Sequence, residues 1–430
     1  MNSETEASRP SAEPNPFLRA AWRGAESLCI KCGFCLPVCP TYGATGVESA
    51  SPRGRLDLMY AVAEGDLTLD DIRAPLGLCL GCLACETACP AGIRFGDMLE
   101  AGHREVAATQ KIGPLQRFLL LRVLPSPPLL RALAWGLWAY QRSGLHALVR
   151  GSRLLSLLSP ALGRLERNMP PLPVPLRWRR PTAAPPRHGA RAVLLTGCVM
   201  DALFGAVHAA TVKVLQKNGV ATLLPPGQGC CGALQLHSGE TEAAKELARR
   251  NIAACEGTGD APILVNAAGC GALLKNYGGL LADDPDWAAR AEGFAGRVRD
   301  ISEFLDDLPL KTPPGKVELR VAYDDPCHLL HAQKVGQPPR NLLAKVPGLE
   351  LVTLPEADRC CGSAGSYSLT QPEMSAQVLE RKMEHIAACG AEVVATGNPG
   401  CVLQIRLGVK NRGLKVEVIH PIQLLARAYG

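Results

Sequence analysis

The sequence predicts a multidomain chain of α+β and α/β class: a small α-helical module, a helical connector, and two copies of an α/β lobe. Three observations predict it. The stretch "CIKCGFCLPVCP" at residues 29 to 40 returns as "CLGCLACETACP" at 79 to 90. From 111 to about 190 the chain turns rich in leucine, proline and arginine. From 191, strand-like and helix-like runs alternate twice in the same order, with cysteines at corresponding places. A chain of 430 residues exceeds what one hydrophobic core organises, which agrees with several domains.

The 18 cysteines fit either disulfides or metal. Disulfide-rich chains are typically small and secreted. The first residues, "MNSETEASRPSAEPNP", are polar and proline-dotted, without a basic start or an apolar run. They read as a disordered tail over 1–24 of a cytoplasmic protein whose thiols bind metal. The composition, 47% hydrophobic and 20% charged, is that of a globular protein.

Both cysteine stretches follow C-x2-C-x2-C-x3-C-P. Three cysteines on a tight loop reach three irons of a cubane cluster, and the fourth, followed by a helix-starting proline, points to the other cluster. Two copies make a pair of [4Fe–4S] sites in a ferredoxin-type domain over 25–110. Cluster one takes Cys29, Cys32, Cys35 and Cys89; cluster two takes Cys79, Cys82, Cys85 and Cys39. Structural zinc favours two CxxC pairs per ion, which this spacing does not give. Between the motifs a helix is expected near 53–64 with a second short one after it. Arg53 and Arg55 of "SPRGR" fit either a contact with a cluster-side loop or partner, or a solvated helix start.

Residues 111 to 191 hold fourteen Lys or Arg against one acid, Glu166, so the chain's net charge of +6 resides there. Prolines and arginines cut its apolar runs well below the roughly 18 residues that span a bilayer. Trp135, Trp138 and the arginines suit short helices lying on a membrane surface. They equally suit helices packed on the protein's own domains or on a partner. A proline-rich linker closes this segment, which covers 111–190.

In the last part, "RAVLLTGC" is a strand ending at Cys198, "VATLLP" precedes Cys230 and Cys231, and "PILVN" leads to Cys270. The second copy places Cys327, Cys360, Cys361 and Cys401 at offsets of 129 to 131 residues, as a duplication does. The lobes cover 191–310 and 311–430. Ligands of open α/β sheets sit beyond the carboxyl ends of the strands, so four thiols per lobe should converge there. They suit a further iron–sulfur cluster or zinc. Cys255 and Cys389, ending equivalent helices, read as buried apolar residues. His328 and His331 after Cys327 fit either a proton or quinone step or plain packing. The chain is read as holding no G-x-G-x-x-G after a strand and no P-loop, and no nucleic-acid partner is expected.

A two-cluster module followed by two "CCG" lobes resembles the iron–sulfur subunit of glycolate oxidase (glycolate dehydrogenase). The resemblance rests on "CIKCGFCLPVCPTY", "SPRGR", "CLGCLACETACP", "GCCGAL", "DPCHLLHAQ" and "CCGSAGSY" in that order, from about Ser27 to the end. It implies an electron-transfer subunit that oxidises no substrate alone. FAD would reside in partner glycolate oxidase subunits, the acceptor would be a quinone or similar carrier, and peripheral contact with the inner membrane face is compatible. Iron–sulfur subunits of lactate and glycerol-3-phosphate dehydrogenases, and heterodisulfide reductase subunits, are the related alternatives. The last can close their lobes with CxxC; here Leu273 and Gln404 stand at those places, against a five-thiolate cluster.

Overall fold

The computed structural model describes residues 16–109, 112–152, 163, 166, 169–174 and 190–430. The expected tail over 1–15, most of the connector beyond 152 and most of the proline-rich linker lie outside them. The described chain forms two compact units, one reaching Ile112 and including His237–Glu240, the other made of Gly113–Leu236 and Thr241–Gly430.

The first unit is helical. The expected tail over 1–24 is shorter than the composition suggested, because a helix begins at Pro16 and runs to Leu28. Leu18, Trp22 and Ala25, at helical spacing, give it one buried face. Trp22 is fully buried in a core with Met59, Val62, Ile72, Leu76, Phe95 and Leu99. The helix expected near 53–64 is Pro52–Glu64, and the short one after it is Leu69–Gly77. "SPRGR" explains the start of the former. Ser51 caps it by accepting from Gly54 N–H at 3.0 Å, and Pro52 occupies the first turn, where no N–H is needed. Gly54 passes so close to the Glu48 carbonyl that a Cβ would lie 2.0 Å from its oxygen.

Pro40 opens a helix, Pro40–Thr45, as the motif predicts. Pro90 does not. It lies in a turn in which Gly92, at φ +67, donates its N–H to the Cys89 carbonyl at 3.2 Å, and the next helix starts only at Phe95. A left-handed glycine two residues after the proline stops helix growth there.

The second unit holds two four-stranded parallel sheets. The first has the order β2-β1-β3-β4, with β1 Ala190–Leu195, β2 Val220–Leu223, β3 Ile263–Val265 and β4 Val298–Asp300. The second repeats it as β6-β5-β7-β8, with β5 Leu319–Tyr323, β6 Leu349–Val352, β7 Val393–Ala395 and β8 Glu417–Ile419. The register repeats as well: Val193 pairs with Ile263 where Val321 pairs with Val393. Central strands read "VLL" and "VAY" without alternation because helices cover both faces of a parallel sheet.

One continuous core joins the lobes. Helix Gly205–Lys217 packs on Pro421–Ala428, and helix Pro338–Ala344 packs on Ile301–Asp306. Each pair joins the helix after a lobe's first cysteine to the other lobe's last helix, so the lobes meet as pseudo-twofold mates. The connector helix Pro127–Arg142 packs on Val199–Leu203, with Arg131 paired to Asp201. Leu120, Val123 and Ala134 are buried, and Gln235 donates to the Leu120 carbonyl at 2.8 Å. Packing on the protein's own lobe thus describes this part of the connector. No single described helix is long and apolar enough to cross a membrane; Pro114–Val123 and Pro127–Arg142 reach that length only as a pair bent by 118°.

Candidate iron–sulfur centres

Each N-terminal loop curls around its middle cysteine by the same device. The residues on either side of Cys32, Lys31 and Gly33, have φ of 53 and 81; those flanking Cys82, Gly81 and Leu83, have 60 and 62. Lys31 and Leu83 bear the strain of a conformation that favours glycine, a strain that concentrates at functional sites. Burial pushes the Cys85 thiol well above its ordinary range, and the neighbours that add to this are Cys82, Cys79 and then Cys39. Cys39 of the first motif thus lies within electrostatic reach of Cys85 in the second. Cys35 is raised by burial and opposed by the Arg53 backbone N–H, a helix-start donor aimed at its sulfur. Cys32 is exposed and Cys82 buried.

In the lobes the expected thiols come together. In the first, Cys230 is held well below its ordinary range, chiefly by the Cys198 thiol, then by Cys231 and the Gly232 N–H. Cys231 is raised in return by Cys230 and by Cys270. In the second, Cys360 is held low by Cys327, then by Cys361, while Cys361 is raised by Cys360 and Cys401. Each lobe thus strings four thiols in the order first, CC pair, last. The last cysteine sits one turn later than the strand end, within helices Ala268–Lys275 and Pro399–Arg412. Gly362, at φ +86, lets the CC loop pass the helix beneath, where a Cβ would lie 2.6 Å from the Ser375 carbonyl. Cys255 lies in the hydrophobic core, and the Cys389 thiol turns back to the Ile386 carbonyl of the preceding helix, at 3.3 Å.

The surroundings of the two chains of thiols differ. In the first lobe Asn251 donates to the Cys230 carbonyl at 2.8 Å and Tyr277 to the Cys231 carbonyl at 2.7 Å. In the second, Lys382 and Asp324, both 1% exposed, form an ion pair of 2.8 Å, and the lysine charge acts on Cys361 and Cys360. His328 Nδ1 lies 3.4 Å from the Cys327 sulfur, and His331 packs toward the Asp358 carbonyl. Asn398 joins the lobes: its Oδ1 accepts from Gly269 N–H at 3.3 Å and its Nδ2 donates to the Cys401 sulfur at 3.4 Å. Sequence reasoning missed Asn398 and Lys382. The "NPGC" and "DDPC" runs carried the only local signal.

One expectation is corrected here. Gly227–Gly232 does spell G-x-G-x-x-G after β2. It is no dinucleotide loop: its fourth and fifth positions are the buried pair Cys230 and Cys231, and the helix that follows has five residues. Among the described residues, no three Cys, His, Asp or Glu side chains close around one point as a single metal ion requires. Each expected group offers four sulfur donors, a set that suits an iron–sulfur cluster and, in the lobes, zinc as well.

Three family models match the chain in sequence: a 4Fe-4S dicluster domain over residues 26–93, the glycolate oxidase iron-sulfur subunit linker region over 113–169, and a cysteine-rich CCG domain over 192–275 and again over 321–406. The probable glycolate oxidase iron-sulfur subunit of Bacillus subtilis is 40% identical over 434 residues, covering 97% of each chain. The chain belongs to the glycolate oxidase iron–sulfur subunit family. The Escherichia coli glycolate oxidase iron-sulfur subunit is 33% identical, covering 100% of this chain and 98% of that one. Lactate utilization protein A of Shouchella clausii is 34% identical but covers only 54% of this chain. A hypothetical protein from Helicobacter pylori shares the fold, with a TM-score of 0.55 at 10% identity over 96% of this chain and 76% of that one. As a member of the glycolate oxidase iron–sulfur subunit family, the chain is an iron–sulfur electron-transfer subunit of an oxidoreductase, and its N-terminal domain carries two [4Fe–4S] clusters.

Proposed function

We propose that this chain takes electrons from FAD-containing partner subunits that oxidise glycolate and delivers them to a quinone-type acceptor. The observation that carries it is the full-length similarity to glycolate oxidase iron–sulfur subunits, connector included, joined to four cysteine quartets in the sequence. When bound, each cluster takes and releases one electron at a time. The residues do the rest. Cys29, Cys32, Cys35 and Cys89 hold one cluster, and Cys79, Cys82, Cys85 and Cys39 hold the other. Cys198, Cys230, Cys231 and Cys270, and Cys327, Cys360, Cys361 and Cys401, hold one further centre per lobe. Backbone N–H groups of Arg53 and Gly81 face the sulfurs of Cys35 and Cys79, and burial excludes water from Cys82, Cys230, Cys231, Cys360, Cys361 and Cys401.

The connector turns Leu115, Phe118, Leu129, Leu133 and Leu148 outward, among exposed Arg117, Arg122 and Arg142. This face supports a peripheral contact at the cytoplasmic side of the membrane. The test is reconstitution. The purified subunit alone should oxidise no glycolate, and the complex with its flavoprotein partners should reduce a quinone analogue with glycolate as donor. Turnover by the flavin-free subunit, or a complex active on lactate or glycerol 3-phosphate but not glycolate, overturns the reading. Anaerobic metal analysis should find about sixteen irons per chain; about eight irons with zinc would make the lobes zinc-held docking modules.

A further inference from the structure

Arg55 lies on the first turn of helix Pro52–Glu64 and is 1% exposed. Its Nε donates to the Pro75 carbonyl at 2.7 Å and its Nη2 to Thr41 Oγ1 at 3.1 Å. Both partners are neutral, and among the described residues no carboxylate pairs with it. A guanidinium is always charged, and a buried charge without a counter-charge is strongly unfavourable. Thr41, itself 1% exposed, supplies the missing link. Its Oγ1 lies 3.3 Å from the Cys39 sulfur and 2.6 Å from the Ala50 carbonyl, so its one proton is shared between them and turns to the sulfur once that sulfur is a thiolate. The charge therefore stands one hydroxyl away from a cysteine sulfur that faces the second loop.

We propose that Arg55 is the counter-charge of the cluster held through Cys39, and that with Thr41 it raises that cluster's reduction potential. This rests on the assignment of Cys39 to the cluster of Cys79, Cys82 and Cys85. A cubane with four thiolates is anionic and gains a further negative charge on reduction. A buried positive charge beside one of its sulfurs favours the reduced form, because cluster potentials follow net charge and hydrogen bonds to sulfur. Arg53 on the same turn, half-buried, is neutralised by its pair with Glu48, so the charge it brings towards Cys35 is a compensated one. Arg55 is a positioning residue, touching the ligand through Thr41.

The test is an EPR-monitored redox titration of the anaerobically purified full chain, with iron content measured in parallel. Arg55→Gln should lower the potential of one of the two N-terminal clusters, the one that Cys82→Ser eliminates, at unchanged iron. Arg55→Lys, which keeps the charge, should restore most of the shift. Thr41→Val, which keeps shape and removes the hydroxyl link, should lower the same potential by less. If Arg55→Gln loses its iron, Thr41→Val decides alone. Unchanged potentials in the iron-replete variants overturn the proposal. A shift confined to the cluster that survives Cys82→Ser also overturns it, and puts the fault in the ligand assignment rather than in the charge.

Discussion

The N-terminal unit and the paired lobes bring four thiols together in opposite ways. In the first, three sulfurs of each group come from seven consecutive residues, curled by left-handed residues on both sides of the middle cysteine, and the proposed fourth comes from the sister motif. In the second, the sulfurs arrive from two loops and the first turn of a helix, each beyond the end of a parallel strand, about seventy residues from first to last. A local loop needs only its own backbone geometry. A convergent site needs the whole sheet, so its thiols report on the fold as well as on the metal. The difference teaches that loss of one ligand should be a local event in the first unit and a global one in the second.

That contrast can be broken most directly by serine substitution. Cys82→Ser should remove one N-terminal cluster and abolish electron delivery to the acceptor, while flavin reduction by substrate in the complex survives and circular dichroism of the lobes stays unchanged. Cys361→Ser should also stop delivery, and should in addition lower the thermal stability of the second unit. Iron counting and melting curves on the two variants give the answer; equal melting behaviour would erase the proposed difference.

The next largest effect sharpens the comparison between the lobes themselves. Lys382→Met leaves Asp324 buried and unpaired, at a cost of about 3–5 kcal/mol, seen as a lower urea midpoint. Counting back from the matched Cys255 and Cys389, the first lobe has Ala248 at this place, so the same lesion has no counterpart there. The double variant Lys382→Met, Asp324→Leu should recover most of the loss.

A pH effect comes next. His420 and Asp300 cap the last helices of the two lobes at equivalent places, each inside a capping box. Burial holds His420 down to about 3 from 6.5 and pushes Asp300 up to about 6 from 3.8. A lowered imidazole means the unfolded chain binds the proton first, so stability falls as pH drops from 6.5 towards 3, by up to about 1.4 kcal/mol per pH unit. A raised carboxyl acts the other way: Asp300 favours the folded state at low pH, and that contribution is lost as pH rises from about 4 to 6. His420→Asn should flatten the acid limb in urea titrations between pH 6.5 and 4.5, whereas Asp300→Asn should steepen it.

The smallest change is Asn398→Ala, which removes one hydrogen bond to Gly269 and one to the Cys401 sulfur, worth about 1 kcal/mol each. Because it spans both lobes, its loss should perturb the EPR signature of the second lobe more than it shifts the melting curve.

The N-terminal dicluster domain was legible because its spacing is its geometry: four cysteines within eleven residues leave few ways to fold, and the doubling of the motif is the ground on which the crossed ligand is proposed. The lobes were legible only through their duplication, since no single stretch there shows four thiols. Helix Pro16–Leu28 was hidden because the prolines before and at its start and its charges mask a buried face of Leu18, Trp22 and Ala25, visible once Trp22 is seen in its core. Arg55 was left between two readings because a charged residue at a helix start is usually solvated, and nothing local shows that residues 41 and 75 will close over it.

By itself the sequence determined which atoms are available and how often: two loops, two lobes, four sulfurs in each group, and a basic connector without a membrane-long apolar run. It could do so because ligand type and spacing are written along the chain. Only the tertiary structure decided which thiols each CC pair meets, which lobe buries a lysine beside its thiols, and that an arginine paired to no carboxylate among the described residues stands behind Cys39. Those depend on burial and on neighbours distant in sequence, and the free energy of a buried charge is set by what surrounds it rather than by its own chain position.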